Sequence, residues 1–159
     1  MKLLVDSHTL IWAVDAPARL GTQAATELKD LSNSVLVSPA TLWEIAIKYG
    51  LGKLTLSKPY RDWMIEPVYR LDATMLPITI DSADVYLSLP LHHRDPFDRM
   101  LVAQSLAEGV PLVSGDPAIG AYGSSASGEA VTSASAAVPP PPGRSRRPAR
   151  RRSGRIAAS

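Results

Sequence analysis

Four short runs rich in valine, isoleucine and leucine recur along the first 122 residues, and amphipathic segments separate them. The runs are residues 2–6, 35–37, 76–80 and 111–114. A parallel strand that is buried on both faces has such a continuous apolar sequence, and two parallel strands need a long crossover between them. The alternation therefore predicts βαβ units, and hence a single α/β domain built on a parallel sheet.

The segments between the runs have helical periodicity and recognisable ends. We predict helices over residues 9–14, 21–31, 39–48, 60–71, 81–89 and 96–108. Ser38 is placed to cap the third of these helices, and Asp95 to cap the last one, which ends before Gly109.

Acidic residues recur where an apolar run ends or in the helix that follows one. They are Asp6, Glu44, Asp98 and Asp116. The carboxyl ends of parallel strands share one edge of the sheet, so these side chains are expected to converge there. Carboxylates gathered in one crevice need a cation, and hard divalent cations prefer oxygen ligands. The pattern predicts a site for Mg²⁺ or Mn²⁺, and phosphate chemistry with a metal-activated water.

Each of these acids also has a structural interpretation. Asp6 is placed to cap the helix that follows it. Glu44 has Lys48 four residues ahead, and the two form an ordinary ion pair if that helix face is exposed. Asp98 lies in the first turn of a helix, where an acid favours the positive end of the helix dipole. Asp116 precedes a proline, as in a simple turn.

Four segments of the chain, taken together, resemble PIN-domain proteins, in particular the VapC-type toxins of bacterial toxin–antitoxin modules. The segments are LLVDSHTLIW (3–12), VSPATLWEIAIK (37–48), HHRDPFDRMLVAQ (92–104) and LVSGD (112–116). The resemblance implies a three-layer fold, with a parallel sheet of four to five strands flanked by helices, and a metal-dependent endoribonuclease. It matches Asp6, Glu44 and Asp98 to the three core acids and Asp116 to the more variable fourth. An RNA substrate, a cognate antitoxin protein and a homodimer are the partners that it implies.

Further side chains near these acids are candidates for supporting roles. Ser7 and Ser114 are placed to orient a carboxylate or a water, or else to cap a helix or a turn. Arg99, with Arg94, is placed to contact RNA phosphates or to neutralise the acids. The remaining candidates are assigned more ordinary roles: a surface loop for His8, His92 and His93, solvated or phosphate-contacting charges for Lys48 and Lys53, and core or interface packing for Trp12 and Trp43.

The composition changes abruptly near residue 123. Residues 123–159 are rich in alanine, serine, proline and arginine, with seven arginines and one glutamate, a net charge of +6. Residues 1–122 therefore carry −4 of the overall +2. We predict a PIN-like domain over 1–122, with its last strand missing or replaced, and a disordered tail over 123–159.

Several classes of protein are disfavoured by absences in the sequence. The chain contains no cysteine, which removes disulfides and thiolate chemistry and suits a reducing compartment. No apolar run is long enough for a membrane span, and we expect no secretory signal, so a cytoplasmic location is predicted. A nucleotide-binding protein is disfavoured because no glycine-rich phosphate loop occurs. The main alternative is a catalytically silent PIN-like module that binds RNA or protein and uses its acids as caps.

Overall fold

The computed structural model describes residues 1–92, 94–122 and 131–132. Its strands are β1 (Lys2–Val5), β2 (Ser34–Val37), β3 (Thr74–Met75), β4 (Leu112–Val113) and β5 (Val131–Thr132). They form one sheet in the order β3-β2-β1-β4-β5, in which β1 to β4 are parallel and β5 is antiparallel to β4. The predicted α/β architecture with a parallel sheet is confirmed.

Helices cover both faces of the sheet. They are α1 (Ser7–Asp15), α2 (Thr22–Lys29), α3 (Pro39–Gly50), α4 (Tyr60–Leu71), α5 (Ile80–Ser88) and α6 (Pro96–Glu108). In the part of the chain that the structure describes, no helix has the length and apolar character required to span a bilayer.

Alternate residues of β1, β2 and β4 enter two separate hydrophobic cores. In β1, Leu3 and Val5 pack in one core with residues of α1 to α4, whereas Leu4 packs in the other core with residues of α5 and α6. Successive side chains of a strand point to opposite faces of the sheet, so a strand that is apolar throughout is buried on both sides. The result is the three-layer arrangement that the motif resemblance implied.

The register of the parallel strands aligns the residues that follow them. Val5 lies opposite Val37 in β2 and opposite Val113 in β4. Asp6, Ser38 and Ser114 each follow one of these valines, so all three start from the same edge of the sheet. This carboxyl edge is where open α/β sheets form their crevice.

A buried glutamine ties α6 to the same edge. Gln104 is fully buried, and its amide nitrogen donates to the carbonyl oxygens of Leu76 at 3.0 Å and Pro77 at 3.1 Å. Its amide oxygen accepts a hydrogen bond of 2.6 Å from the hydroxyl of Ser38, which also caps α3 by accepting from the N–H of Ala40. The predicted cap at Ser38 is confirmed, and so is the helix end at Gly109, whose φ is 63°.

Two parts of the sheet differ from the sequence prediction. The third strand is Thr74–Met75 rather than residues 76–80, because Pro77 has no N–H to donate and Thr79 forms a capping box with Ser82 at the start of α5. The last strand was predicted to be missing or replaced, because no apolar strand is visible in the sequence after residue 122, and the structure has the two-residue strand β5 there, antiparallel to β4. The other calls on the tail, including its predicted disorder, lie outside the described residues.

Candidate active site

Asp6 stands at the end of β1 with both carboxylate oxygens engaged. The side chain is buried, with 2% of the residue exposed. Oδ1 accepts a hydrogen bond of 2.6 Å from the N–H of Thr9, which caps α1, and Oδ2 accepts one of 2.5 Å from the Ser114 hydroxyl. The capping interpretation of Asp6 therefore accounts for only one of the two oxygens.

Ser114 connects Asp6 to the fourth predicted acid. The Ser114 hydroxyl, which donates to Asp6, also accepts a hydrogen bond of 3.0 Å from the backbone N–H of Asp116. Asp116 is half-buried and its Oδ1 accepts from the N–H of Ala118 at 2.8 Å, so it also stabilises the turn that leaves β4. Asp6, Ser114 and Asp116 thus form a continuous hydrogen-bonded chain across two neighbouring strands.

A close glycine contact positions this turn. A Cβ atom on Gly115 would lie 3.2 Å from the indole ring of Trp12, which is tighter than ordinary van der Waals contact. Trp12 is half-buried, and the guanidinium of Arg19 lies 5.0 Å from the centre of its ring. Trp12 therefore packs beneath the turn between Ser114 and Asp116, in agreement with the packing role predicted for it.

Glu44 is buried within α3, with 4% of the residue exposed. Its Oε1 lies 2.5 Å from the ammonium of Lys48, so the ion pair considered from the sequence is present, but on a buried rather than a solvated acid. Its Oε2 is also buried and has no hydrogen-bond partner among the described residues. A buried acceptor without a donor is uncommon in proteins and calls for an explanation.

Contacts of α3 direct its Glu44 face toward the carboxyl edge. The Thr41 hydroxyl lies 3.5 Å from the carbonyl oxygen of Val5, the last residue of β1. Thr41 and Glu44 are three residues apart on the helix, so they share one face. Glu44 therefore belongs to the side of α3 that faces the end of β1.

Asp98 lies in the first turn of α6, as predicted, and it is half-buried. The cap of that helix is Asp95, whose Oδ1 accepts from the N–H of Phe97 at 2.8 Å, so the predicted cap is confirmed, while the chemical role of Asp98 stays a prediction. The ring of Phe97 packs edge to face on that of Trp43, with centroids 5.5 Å apart. Since Trp43 precedes Glu44 and Phe97 precedes Asp98, this contact brings together the helix turns that carry the two acids.

The described residues do not include a completed metal cluster. Among them, no three or more His, Asp or Glu side chains are close enough to hold an ion together. The four-carboxylate site therefore stays a prediction. The donor set fits a hard divalent cation in kind, because it consists of carboxylate and hydroxyl oxygens, and the buried Oε2 of Glu44 is available for a ligand. Mg²⁺ commonly uses only one or two protein carboxylates and completes its shell with water and substrate phosphates.

The structure corrects the role considered for Arg99. Its side chain is buried, and its guanidinium donates to the carbonyl oxygens of Pro90 at 2.7 Å, Leu89 at 3.2 Å and Tyr86 at 3.3 Å. A guanidinium that caps the end of α5 in this way is not available to an RNA phosphate or to the acids. Arg99 instead supports the loop that leads to α6, and its guanidinium also donates a hydrogen bond of 3.3 Å to the hydroxyl of Tyr122.

The remaining predicted residues lie as follows. Ser7 is buried as the first residue of α1, directly beside Asp6, and its role stays a prediction. His8 and His92 are exposed and lie near the rings of Trp12 and Tyr122 respectively. Arg94 and Lys53 are exposed, whereas Trp43 is 65% exposed and so does not fill the core. His93 lies outside the described residues.

Sequence reasoning missed Gln104 and Thr41 as residues that build the site. Both are fully buried polar side chains that fix α6 and α3 relative to the sheet. The available signal was a lone amide in the apolar stretch of residues 101–106 and a lone hydroxyl in that of residues 40–47. A polar residue in such a stretch is rarely buried without a specific partner.

Known proteins share sequence similarity with this chain. The family described as PIN domain matches residues 3–123. The chain is similar to a protein named ribonuclease VapC16 from Mycobacterium tuberculosis, with 36% identity over 69 residues that cover 41% of this chain and 48% of the relative. The match thus spans about half the length of that curated relative.

A solved structure shares the fold. It is the crystal structure of VapBC2 from Rickettsia felis bound to a DNA fragment from their promoter. The TM-score is 0.56, and the superposition covers 73% of this chain and 89% of that one at 15% sequence identity. At this level of identity the likeness concerns the architecture alone.

Proposed function

The chain belongs to the PIN-domain family, and on this premise we propose that it is an Mg²⁺- or Mn²⁺-dependent endoribonuclease, the toxin of a toxin–antitoxin pair. The observation that carries the proposal is the buried Asp6 at the carboxyl edge, linked through Ser114 to Asp116. The relative named as a ribonuclease supports the reaction class. The proposed substrate is single-stranded RNA, and the proposed location is the cytoplasm.

The residues proposed to hold the ion are Asp6, Glu44, Asp98 and Asp116. A bound divalent cation supplies positive charge that stabilises the scissile phosphate and makes a water more nucleophilic. The protein contributes fixed oxygen ligands. The N–H of Thr9 and the hydroxyl of Ser114 hold the Asp6 carboxylate in one orientation before any ligand arrives, which avoids reorganisation during the reaction.

We propose that three further side chains contribute to the same site. Ser114 orients Asp6 and fixes the backbone of Asp116 with the same hydroxyl. Glu44 enters from α3, and its unpartnered Oε2 is the acceptor that an ion would satisfy. Asp98 enters from the first turn of α6, whose position depends on the buried Gln104.

The toxin role includes two protein partners. We propose a cognate antitoxin and a second copy of this chain, and the likeness of the four sequence motifs to those of VapC-type toxins supports both. Co-expression with the product of an adjacent small gene should suppress the RNA cleavage, and sedimentation of the purified chain should give twice the monomer mass. Cleavage that persists in the presence of that product would contradict the antitoxin proposal.

An Asp6→Asn variant tests the reaction. Asparagine caps helices as well as aspartate does, so the bond from Thr9 is retained and the fold is preserved. The amide does not supply the second carboxylate oxygen, and we expect cleavage of a fluorescent single-stranded RNA to fall by at least about 100-fold. Asp84→Asn, a change of an exposed acid on α5, is the matched control and should cleave at the wild-type rate.

The same assay separates the proposal from a silent RNA-binding module. That alternative is supported by the structural roles of two of the acids, because Asp6 caps α1 and Asp116 stabilises a turn. A silent module would bind RNA at every Mg²⁺ and Mn²⁺ concentration without cutting it. Full cleavage by Asp6→Asn, or cleavage in excess chelator, would contradict the proposed mechanism.

A further inference from the structure

Lys48 is partly exposed, but it forms an ion pair with Glu44, a buried acid that is a predicted metal ligand. Its ammonium lies 2.5 Å from Oε1 of Glu44, whose side chain is 6% exposed, while the Lys48 side chain is 34% exposed. Burial of a carboxylate without a counter-charge costs on the order of several kcal/mol, because the carboxylate loses its hydration. Lys48 is the basic side chain recorded in contact with Glu44 among the described residues, so it supplies that counter-charge.

The ion pair with Lys48 engages only Oε1 of the Glu44 carboxylate. Oε2 of Glu44 is buried and has no hydrogen-bond partner in the described part of the chain. A pair that existed only to stabilise the fold would be expected to satisfy both oxygens, because an unmade buried hydrogen bond is costly. The second oxygen is therefore the one through which an additional ligand would bind.

Lys48 is also a removable charge. Its ammonium is carried on four methylene groups, and its partly exposed position on the surface of α3 allows the ammonium to reach water without movement of the backbone. Glu44, by contrast, is buried and fixed by the packing of the helix. The carboxylate is therefore the constant part of this pair, and the cation is the exchangeable part.

We propose that Lys48 is a counter-cation that stands in for the divalent ion and competes with it for Glu44. This inference rests on the proposed function, in which Glu44 helps to hold the ion. In the metal-free protein Lys48 keeps the buried acid neutralised and the fold stable. When the ion is present, the two positive charges share one carboxylate and repel each other, so Lys48 weakens metal binding.

Mn²⁺ binding by the full chain tests this proposal, measured as free Mn²⁺ by electron paramagnetic resonance. Lys48→Met keeps the apolar stem and the helix propensity but removes the charge, and we expect it to bind Mn²⁺ about tenfold more tightly than the wild type, within the usual range of site-to-site coupling. Lys48→Arg keeps the charge and should bind near the wild-type level. Lys29→Met, at an exposed lysine of α2, is the control and should change nothing.

A second readout is thermal stability. Without metal, Lys48→Met should melt roughly 2–8 °C below the wild type, because Oε1 of Glu44 also loses its partner. Saturating Mn²⁺ should raise its melting temperature by more than it raises that of the wild type. Damage to the fold alone would weaken Mn²⁺ binding, so the direction of the change distinguishes competition from structural loss.

The outcomes separate the two proposals. Mn²⁺ affinity that is unchanged or weaker in Lys48→Met, with the wild type still binding Mn²⁺ and cleaving RNA, overturns the role of Lys48 and leaves the nuclease proposal intact. A wild-type protein that does not bind Mn²⁺ overturns both. In a Glu44→Gln background the effect of Lys48→Met should vanish, and an effect that persists there would show that Lys48 acts through another group.

Discussion

At the scale of single residues, the Asp6 carboxylate has a different donor on each oxygen. The N–H of Thr9 belongs to the helix that follows Asp6, whereas the hydroxyl of Ser114 comes from 108 residues away along the chain. The local donor would be present in any capped helix. The distant donor exists only when β1 and β4 are adjacent, so it makes the orientation of Asp6 a property of the whole sheet.

Removal of the distant donor should affect stability and activity together. Ser114→Ala leaves Oδ2 of Asp6 and the N–H of Asp116 without this partner, and we expect a loss of about 1–3 kcal/mol in the free energy of unfolding. Urea denaturation measures this loss, and RNA cleavage should fall because Asp6 is no longer held in place. Ser88→Ala, which removes an exposed hydroxyl bonded within α5, is the control.

A Ser114→Ala protein of wild-type stability would show that water replaces the hydroxyl without cost. Wild-type cleavage in the same variant would show that the helix cap alone orients Asp6. Wild-type cleavage would remove Ser114 from the set of residues that build the site, while the predicted metal ligands would remain.

At the scale of elements, the sequence was most informative where local chemistry decides the structure. The helices Tyr60–Leu71 and Pro96–Glu108 begin and end as predicted, the second because Asp95 caps it and Gly109 adopts a left-handed conformation. The third strand was misplaced because the hydrophobic residues continue past Pro77, whereas the strand that pairs in the sheet ends before it, at Met75. Strand β5 was not predicted because it has only two residues, which are too few to show a periodic pattern of apolar side chains.

The arrangement of elements around the site depends on buried polar groups that periodicity does not reveal. The identities of Asp6, Glu44, Asp98 and Asp116 as candidates came from their positions after strands and in helices. Their mutual placement depends on long-range contacts, such as those of Gln104, that no local pattern encodes. The burial of Arg99 was likewise not predicted, because an arginine that follows an acid in the sequence is ordinarily interpreted as an exposed charge.

Gln104 provides a test at this scale. Gln104→Leu keeps the side-chain volume but removes the donors to the carbonyl oxygens of Leu76 and Pro77 and the acceptor for Ser38. We expect at least about 2 kcal/mol of destabilisation. We also expect faster hydrogen exchange at the start of α5 and in the first turn of α6. Gln23→Leu, on the exposed side of α2, is the control. Unchanged exchange would show that the hydrophobic core alone positions α6.

At the scale of the whole molecule, the two parts of the chain have opposite charges. Residues 1–122 carry a net charge of −4 and residues 123–159 a net charge of +6. RNA is a polyanion, so an acidic domain gains little from long-range attraction, and its proposed active site concentrates further negative charge at one edge of the sheet. The arginines after residue 143 are therefore expected to dominate non-specific attraction to RNA, and the acids to determine cleavage.

A chain that ends at residue 142 separates these contributions, since it retains Val131–Thr132 and so the strand that pairs with β4, but lacks all seven arginines of the 123–159 segment. Each phosphate contact to single-stranded RNA contributes roughly 0.7 to the slope of log affinity against log salt, so the slope should become shallower by up to about 5. Fluorescence anisotropy with chelator present measures binding without cleavage.

A chain with the seven arginines changed to glutamine is the matched control for length and should behave like the truncated one. At saturating RNA, both should cleave at the wild-type rate, because the tail is expected to attract the substrate rather than to act on it. An unchanged salt slope would place the phosphate contacts on the folded domain instead.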